Sequence, residues 1–202
     1  SIEKVLREIE RQRQSISSEV EYKKRLYAYG IKPKTLLMYA IPSEARQVAI
    51  DALFEFAENT KLEYAYQMLL LIIMLNRADE NGLFSLEEAT FCFAEFYRLR
   101  REAGLASERS YRSKRAIVDN PYASSSQMRQ MLKTSPFPRF ERQGLLDMSE
   151  DGRYFVANPA LLEDLTPPLK QKLYSLAIRR MADHFGDEEF VIEAMVAKAI
   201  GR

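Results

Sequence analysis

Three observations predict a mainly helical fold carrying one small β-hairpin. Apolar residues recur three and four positions apart over long stretches, two segments open with capping-box spacing (Ser85 to Glu88 and Ser124 to Gln127), and Asp151-Gly152 lies between two short apolar runs. The expected organisation is a helical N-terminal region over 1–61, a second part over 62–165 that contains the hairpin, and C-terminal helices over 166–202 packed on it.

From Ile2 to Tyr29 no proline or glycine intervenes, and Ile2, Val5, Leu6, Ile9, Ile16, Val20, Leu26 and Tyr27 mark an apolar face that stops at Gly30. This predicts one long helix. Gln12, Glu19 and Lys23 interrupt any sustained heptad, so the arm is not a strict coiled coil but a surface for a protein partner or a second subunit. Lys32-Pro33-Lys34 is a hinge signal. Pro42-Ser43 introduces a second helix to about Asn59, with Val48, Leu53, Phe54 and Phe56 expected in the core.

Leu62 to Asn76 is apolar on nearly every side, the pattern of a helix buried at the centre of a domain. Gly82-Leu83-Phe84 is too short for more than one strand rung, and Ser85 caps a helix that runs to about Ala103 before Gly104. Residues 105–123 lack periodicity and read as an excursion with four basic side chains. Ser124 and Gln127 then open a helix whose inner face is Met128, Met131 and Leu132; Pro136 and Pro138 end or bend it, and Gly144 stops it. Leu145–Met148 and Arg153–Ala157 are the hairpin strands. Thr166-Pro167 reads as a cap followed by proline at the first helical position, opening helices over 167–185 and 187–199.

Composition narrows the class. Apolar residues make up 47% and charged residues 29% of the 202, which is ordinary for a globular protein and unlike a disordered chain. The most apolar run, Met68 to Leu75, is far below the roughly 20 residues that cross a bilayer, and no basic-then-apolar leader precedes a cleavage site. The single cysteine, Cys92, excludes an internal disulfide and a cysteine-based zinc cluster and reads as packing. A cytoplasmic protein is expected. The opening at Ser1 and the close on Gly201-Arg202 would suit a piece of something longer.

The net charge of +1 hides alternation. Residues 1–34 carry 9 basic and 5 acidic side chains, 35–97 carry 3 and 10, 98–144 carry 11 and 4, and 145–202 carry 7 and 10. Nine of the eleven cations in 98–144 are arginine, whose planar fork suits phosphate and guanine edges, and Tyr111, Tyr122 and Phe140 are interleaved. Such a block serves nucleic acid, pairs with the acidic 35–97 block or a partner, or is simply solvated.

Helix 62–76, the Gly82-Leu83-Phe84 rung, helix 85–103, helix 124–143 and the hairpin 145–157 together resemble a winged-helix domain. Phe140-Glu141-Arg142-Gln143-Gly144-Leu145-Leu146, followed by Asp151-Gly152-Arg153-Tyr154, is similar to the helix-to-wing junction of that superfamily. The resemblance covers about half of the chain and points to no subfamily. It implies a non-catalytic DNA-binding unit, in which the helix before the wing enters the major groove and the wing touches backbone or minor groove. By position, Gln127, Arg129, Gln130, Lys133, Arg139 and Arg142 would face DNA and Arg153 would be the wing contact. Arg109, Arg112, Lys114 and Arg115 of the excursion extend the same candidate surface. Winged helices also serve as protein-docking modules, which is the alternative.

Catalytic and metal patterns are thin, and neither a cofactor nor a metal is expected. Asp79 to Glu88 resembles the latter part of a calcium loop, but that register puts Arg77 where the first ligand belongs. Arg179 and His184 match the loose arginine-to-histidine spacing of the all-helical HEPN ribonucleases; a helix-end histidine beside a solvated arginine explains the same residues. Glu21-Tyr22-Lys23 has a nuclease-like ending without a partner carboxylate, and no phosphate-cradling glycine loop or nucleophile elbow occurs.

Overall fold

The computed structural model describes residues 43–108, 117–162 and 164–201. The arm expected over 2–29 and the hinge at 32–34 lie outside them. Among the described residues seven α-helices and three short strands follow in the order α1 (Ser43–Asn59), α2 (Tyr66–Arg77), β1 (Leu83–Ser85), α3 (Leu86–Glu102), α4 (Ser125–Thr134), α5 (Phe137–Arg142), β2 (Leu146–Met148), β3 (Tyr154–Ala157), α6 (Pro167–Phe185) and α7 (Glu189–Ala199). Single 3-10 turns sit at Ile117–Asp119 and Pro159–Leu161. The fold is mainly helical, as expected.

Every residue of α2 from Tyr66 to Leu75 is buried, so the continuous apolar run becomes the centre of the core. Helix α6 packs along α2, α7 along α3, and α4 against the other side of α3. Leu53, Phe56 and Ala57 of α1 join the same continuous core as Leu173 of α6 and Ile192 and Val196 of α7. Burial on this scale is the main stabilising term, at about 25 cal/mol per Å² of apolar surface. Two α1 residues depart from expectation: Val48 is 67% exposed and Phe54 only half-buried, because the turn of α1 that faces the core is carried by Ala49, Ile50 and Leu53.

Helix α2 begins four residues later than the pattern of 62–76 predicted. Leu62 to Ala65 form the approach turn, Tyr64 stacks on Tyr66 at 4.7 Å, and the Ala65 N–H is taken by Glu108 rather than by a preceding helical turn. Ser85 accepts from the N–H groups of Glu87 and Glu88, capping α3, while the Glu88 side chain turns to Arg77 at 3.1 Å instead of closing the expected box. Thr166 has extended backbone at the start of α6 but makes no side-chain capping bond, and α7 starts at Glu189, two residues later than expected.

The sheet is antiparallel with β3 central, in the order β1-β3-β2. The Gly82-Leu83-Phe84 step makes a full three-residue strand: Leu83 pairs with Val156, Phe84 with Phe155 and Ser85 with Tyr154. Gly82 has φ +75°, and its carbonyl accepts from the Ala157 N–H at 2.7 Å, an approach a side chain would obstruct. The β2–β3 turn is tied by Ser149, whose hydroxyl donates to Asp151 (2.7 Å) and accepts from the N–H of Tyr154 (2.9 Å). That bond from Ser149, then the one from the Arg153 N–H, holds the Asp151 carboxyl below its usual range.

Candidate nucleic-acid interface

Helix α4 is set by a complete capping box: Ser124 Oγ accepts from the Gln127 N–H and Gln127 Oε1 accepts from the Ser124 N–H at 2.9 Å. Met128, Met131 and Leu132 are buried against the core, which turns Arg129 and Gln130 to solvent and leaves Lys133 half-exposed. The Lys133 ammonium lies over Gly152, so close that a Cβ there would meet it at 3.2 Å. Helix α4 and the β2–β3 turn therefore share one face. The residues at Pro136 and Pro138 split the remainder, so α5 is a separate six-residue helix rather than a continuation of α4.

The seven candidate side chains on described elements have different surroundings. Gln127 spends its amide oxygen on the cap. Arg129 and Gln130 project outward from α4. Arg139 points inward: it donates to the Lys61 carbonyl at 2.7 Å and, with the Gln67 amide oriented to bond Tyr64, to the Gln67 oxygen at 3.2 Å. Arg142 donates its Nε to the Pro138 carbonyl at 3.1 Å and is otherwise exposed. Arg153 is exposed in the β2–β3 turn beside Asp151. Arg109, Arg112, Lys114 and Arg115 lie outside the described residues.

Much of the basic block braces the fold. Arg98 is clasped between Glu95 and Glu102, and Glu95 is held below the usual carboxylate range by its bond from that guanidinium. Arg100 is 1% exposed, lies 3.6 Å from the Phe185 ring centroid, and bonds Asp187 (2.8 Å) and the Ala106 carbonyl (2.9 Å). Arg101 donates to the Val118 carbonyl at 2.6 Å. Four of the eleven cations, counting Arg139, are thus used inside the molecule, and Arg129, Lys133 and Arg142 remain on the described surface.

Of the patterns weighed for catalysis and metal binding, Glu21-Tyr22-Lys23 lies outside the described residues and the others have the following surroundings. Asp79 accepts from the N–H groups of Asn81 and Leu83, both at 2.8 Å, which closes a turn before β1. Among the described residues no three His, Cys, Asp or Glu side chains are grouped to hold a metal. Arg179 is exposed, whereas His184 is turned into the protein, with Nε2 2.6 Å from Glu108 Oε2. Cys92 is fully buried, and burial pushes its thiol up. The sequence patterns gave no sign of the polar node around Glu108, which also accepts from Tyr97 Oη at 2.5 Å and the Ala65 N–H at 3.0 Å. Its members are separated by 43, 11 and 76 positions, so no local spacing reveals it.

No helix among the described residues is long and apolar enough to cross a membrane. No protein-family model matches the chain, and no curated protein or solved structure is significantly similar to it.

Proposed function

We propose that residues 66–157 form a winged-helix-like unit whose α4 face binds DNA without catalysis, as a domain or subunit of a larger nucleic-acid-processing or regulatory machine in the cytoplasm. The supporting topology is the order helix, strand, three helices (α3, α4 and the short α5), hairpin, with β3 central in the sheet. The observation that carries the reading is the composition of α4. Among the described surface helices of eight or more residues it alone contains no Asp or Glu, and it presents Arg129, Gln130 and Lys133 beside the β2–β3 turn. Arginine and lysine without competing carboxylates favour phosphate, while glutamine and arginine can read base edges.

The test is a fluorescence-anisotropy titration with a random labelled DNA duplex at about 50 and 200 mM salt, where phosphate contacts lose affinity steeply. Arg129→Glu with Lys133→Glu should weaken binding and lower the log-log salt slope by about two, close to one per phosphate contact. Unchanged binding by that variant refutes the assignment to α4.

A protein-docking role is the second reading, and one observation favours it. Phe91 is 64% and Tyr122 90% exposed, and Phe91 borders a groove of about 420 Å³ floored by Ala94, Pro121, Ala123 and Met128. Exposed aromatics beside a groove are typical of interaction surfaces. Absence of DNA binding at 50 mM salt, about the most permissive condition, would favour this reading.

A further inference from the structure

Helix α1 and helix α6 enclose an open groove of about 670 Å³ that does not overlap the α4 face. Its floor is apolar, formed by Ile50, Phe54 and Leu169. Four carboxylates, Asp51, Glu55, Glu58 and Asp164, line it against a single ammonium, Lys172, which sits 5.1 Å from the centroid of the Phe54 ring. Asp51 accepts from Gln47 and Asp164 pairs with Arg46, but Glu55 and Glu58 make no ion pair with any described residue. A negative groove with an apolar floor selects an occupant that is both cationic and aromatic.

The chain carries such a segment. Tyr22-Lys23-Lys24-Arg25-Leu26-Tyr27-Ala28-Tyr29-Gly30-Ile31-Lys32-Pro33-Lys34 holds five cations, three tyrosines and no acidic residue. Eight residues separate Lys34 from Ser43, the first residue of the groove's own α1 wall. That link reaches up to roughly 30 Å, whereas the groove runs only about 18 Å along α1 from Gln47 to Asn59. Tethering at this length gives an effective concentration on the order of millimolar, so weak complementary contacts suffice.

We propose that the α1–α6 groove is the docking site for residues 22–34 of the same chain, with the cations meeting Glu55 and Glu58 and the aromatics the apolar floor. The assignment is independent of what α4 binds. In the full chain, zero-length carbodiimide coupling should join Lys23 or Lys24 to Glu55 or Glu58 within one molecule. Trypsin should cut after Lys23, Lys24 and Arg25 about fivefold faster in Glu55→Gln/Glu58→Gln, two exposed changes that circular dichroism should show to leave the fold intact. Salt at about 0.5 M should bring the unaltered chain to the variant's rate. Equal cleavage rates for the two proteins at low salt would overturn the proposal. So would coupling found only between molecules in a mixture of isotopically light and heavy chains, which would assign the groove to a second copy.

Discussion

Replacing Glu108 by alanine is the most demanding test of how the described residues hold together. The carboxylate is buried and accepts from the Ala65 N–H at the start of α2, from Tyr97 of α3, and lies 2.6 Å from His184 of α6. Removing it strands three polar groups, the Ala65 N–H, the Tyr97 hydroxyl and the His184 ring nitrogen. An orphaned buried polar group costs about 1–3 kcal/mol, and three are orphaned together. The expected loss is therefore about 3–5 kcal/mol, a large part of the 5–15 kcal/mol that separates folded from unfolded domains. At about 2–4 °C per kcal/mol this lowers Tm by on the order of 10 °C. Urea denaturation of Glu108→Ala, His184→Ala and the double variant measures it. The double variant should lose less than the sum of the singles, because neither partner is then left alone. A loss below about 1 kcal/mol for Glu108→Ala, or strict additivity, would refute the view that this node is a buried, coupled contact.

Two further outcomes follow from the same interior. The Tyr66 and Tyr97 hydroxyls are pushed far above their ordinary value, first by burial and then by the charge of Glu108. Because the folded values are raised, stability is intact below about pH 10 and falls as pH rises above it, by about 1.4 kcal/mol per pH unit for each tyrosine; Tyr97→Phe should remove about half of that slope in alkaline urea titrations, and an unchanged slope would contradict it. Gly82→Ala places a Cβ at φ +75° and 3.0 Å from the Leu162 side chain and 3.2 Å from the Ala157 carbonyl, whereas Gly104, at φ +70°, has open space around it. Gly104→Ala should cost about 1 kcal/mol of left-handed strain alone and Gly82→Ala about 1 kcal/mol or more beyond that; equal urea midpoints would refute the crowding.

The legible parts of the chain were those whose signal is local. Ser124 and Gln127 satisfy each other within one turn, Asp151-Gly152 fixes the hairpin, and Pro167 opens α6 where it was expected. The β1 strand was under-read because three residues carry little period-two signal, and its pairing depends on β3, about 70 positions away. The arginine-rich block was legible only as a total for a related reason. Charge counted along the chain does not distinguish Arg129, which faces solvent, from Arg100, which is sealed against Phe185 and Asp187, since only the folded neighbours decide. Expecting Val48 in the core was a phase error of one position on α1, where Ala49 takes the inward place.

Arg180 of α6 donates to the carbonyls of Ala57, Glu58 and Thr60 at the end of α1, and burial lowers its proton affinity. Arg77 at the end of α2 donates to the carbonyl of Ile200 beyond α7. Each bond spans about 120 positions, so the end of α1 is completed by a group of α6 and the end of α7 by a group of α2. During synthesis the last carbonyls of α1 and the apolar surface of α2 stay uncovered until α6 follows. Such late closure makes folding slow relative to local helix formation and leaves the nascent chain, rather than the finished protein, as the form in need of protection from aggregation.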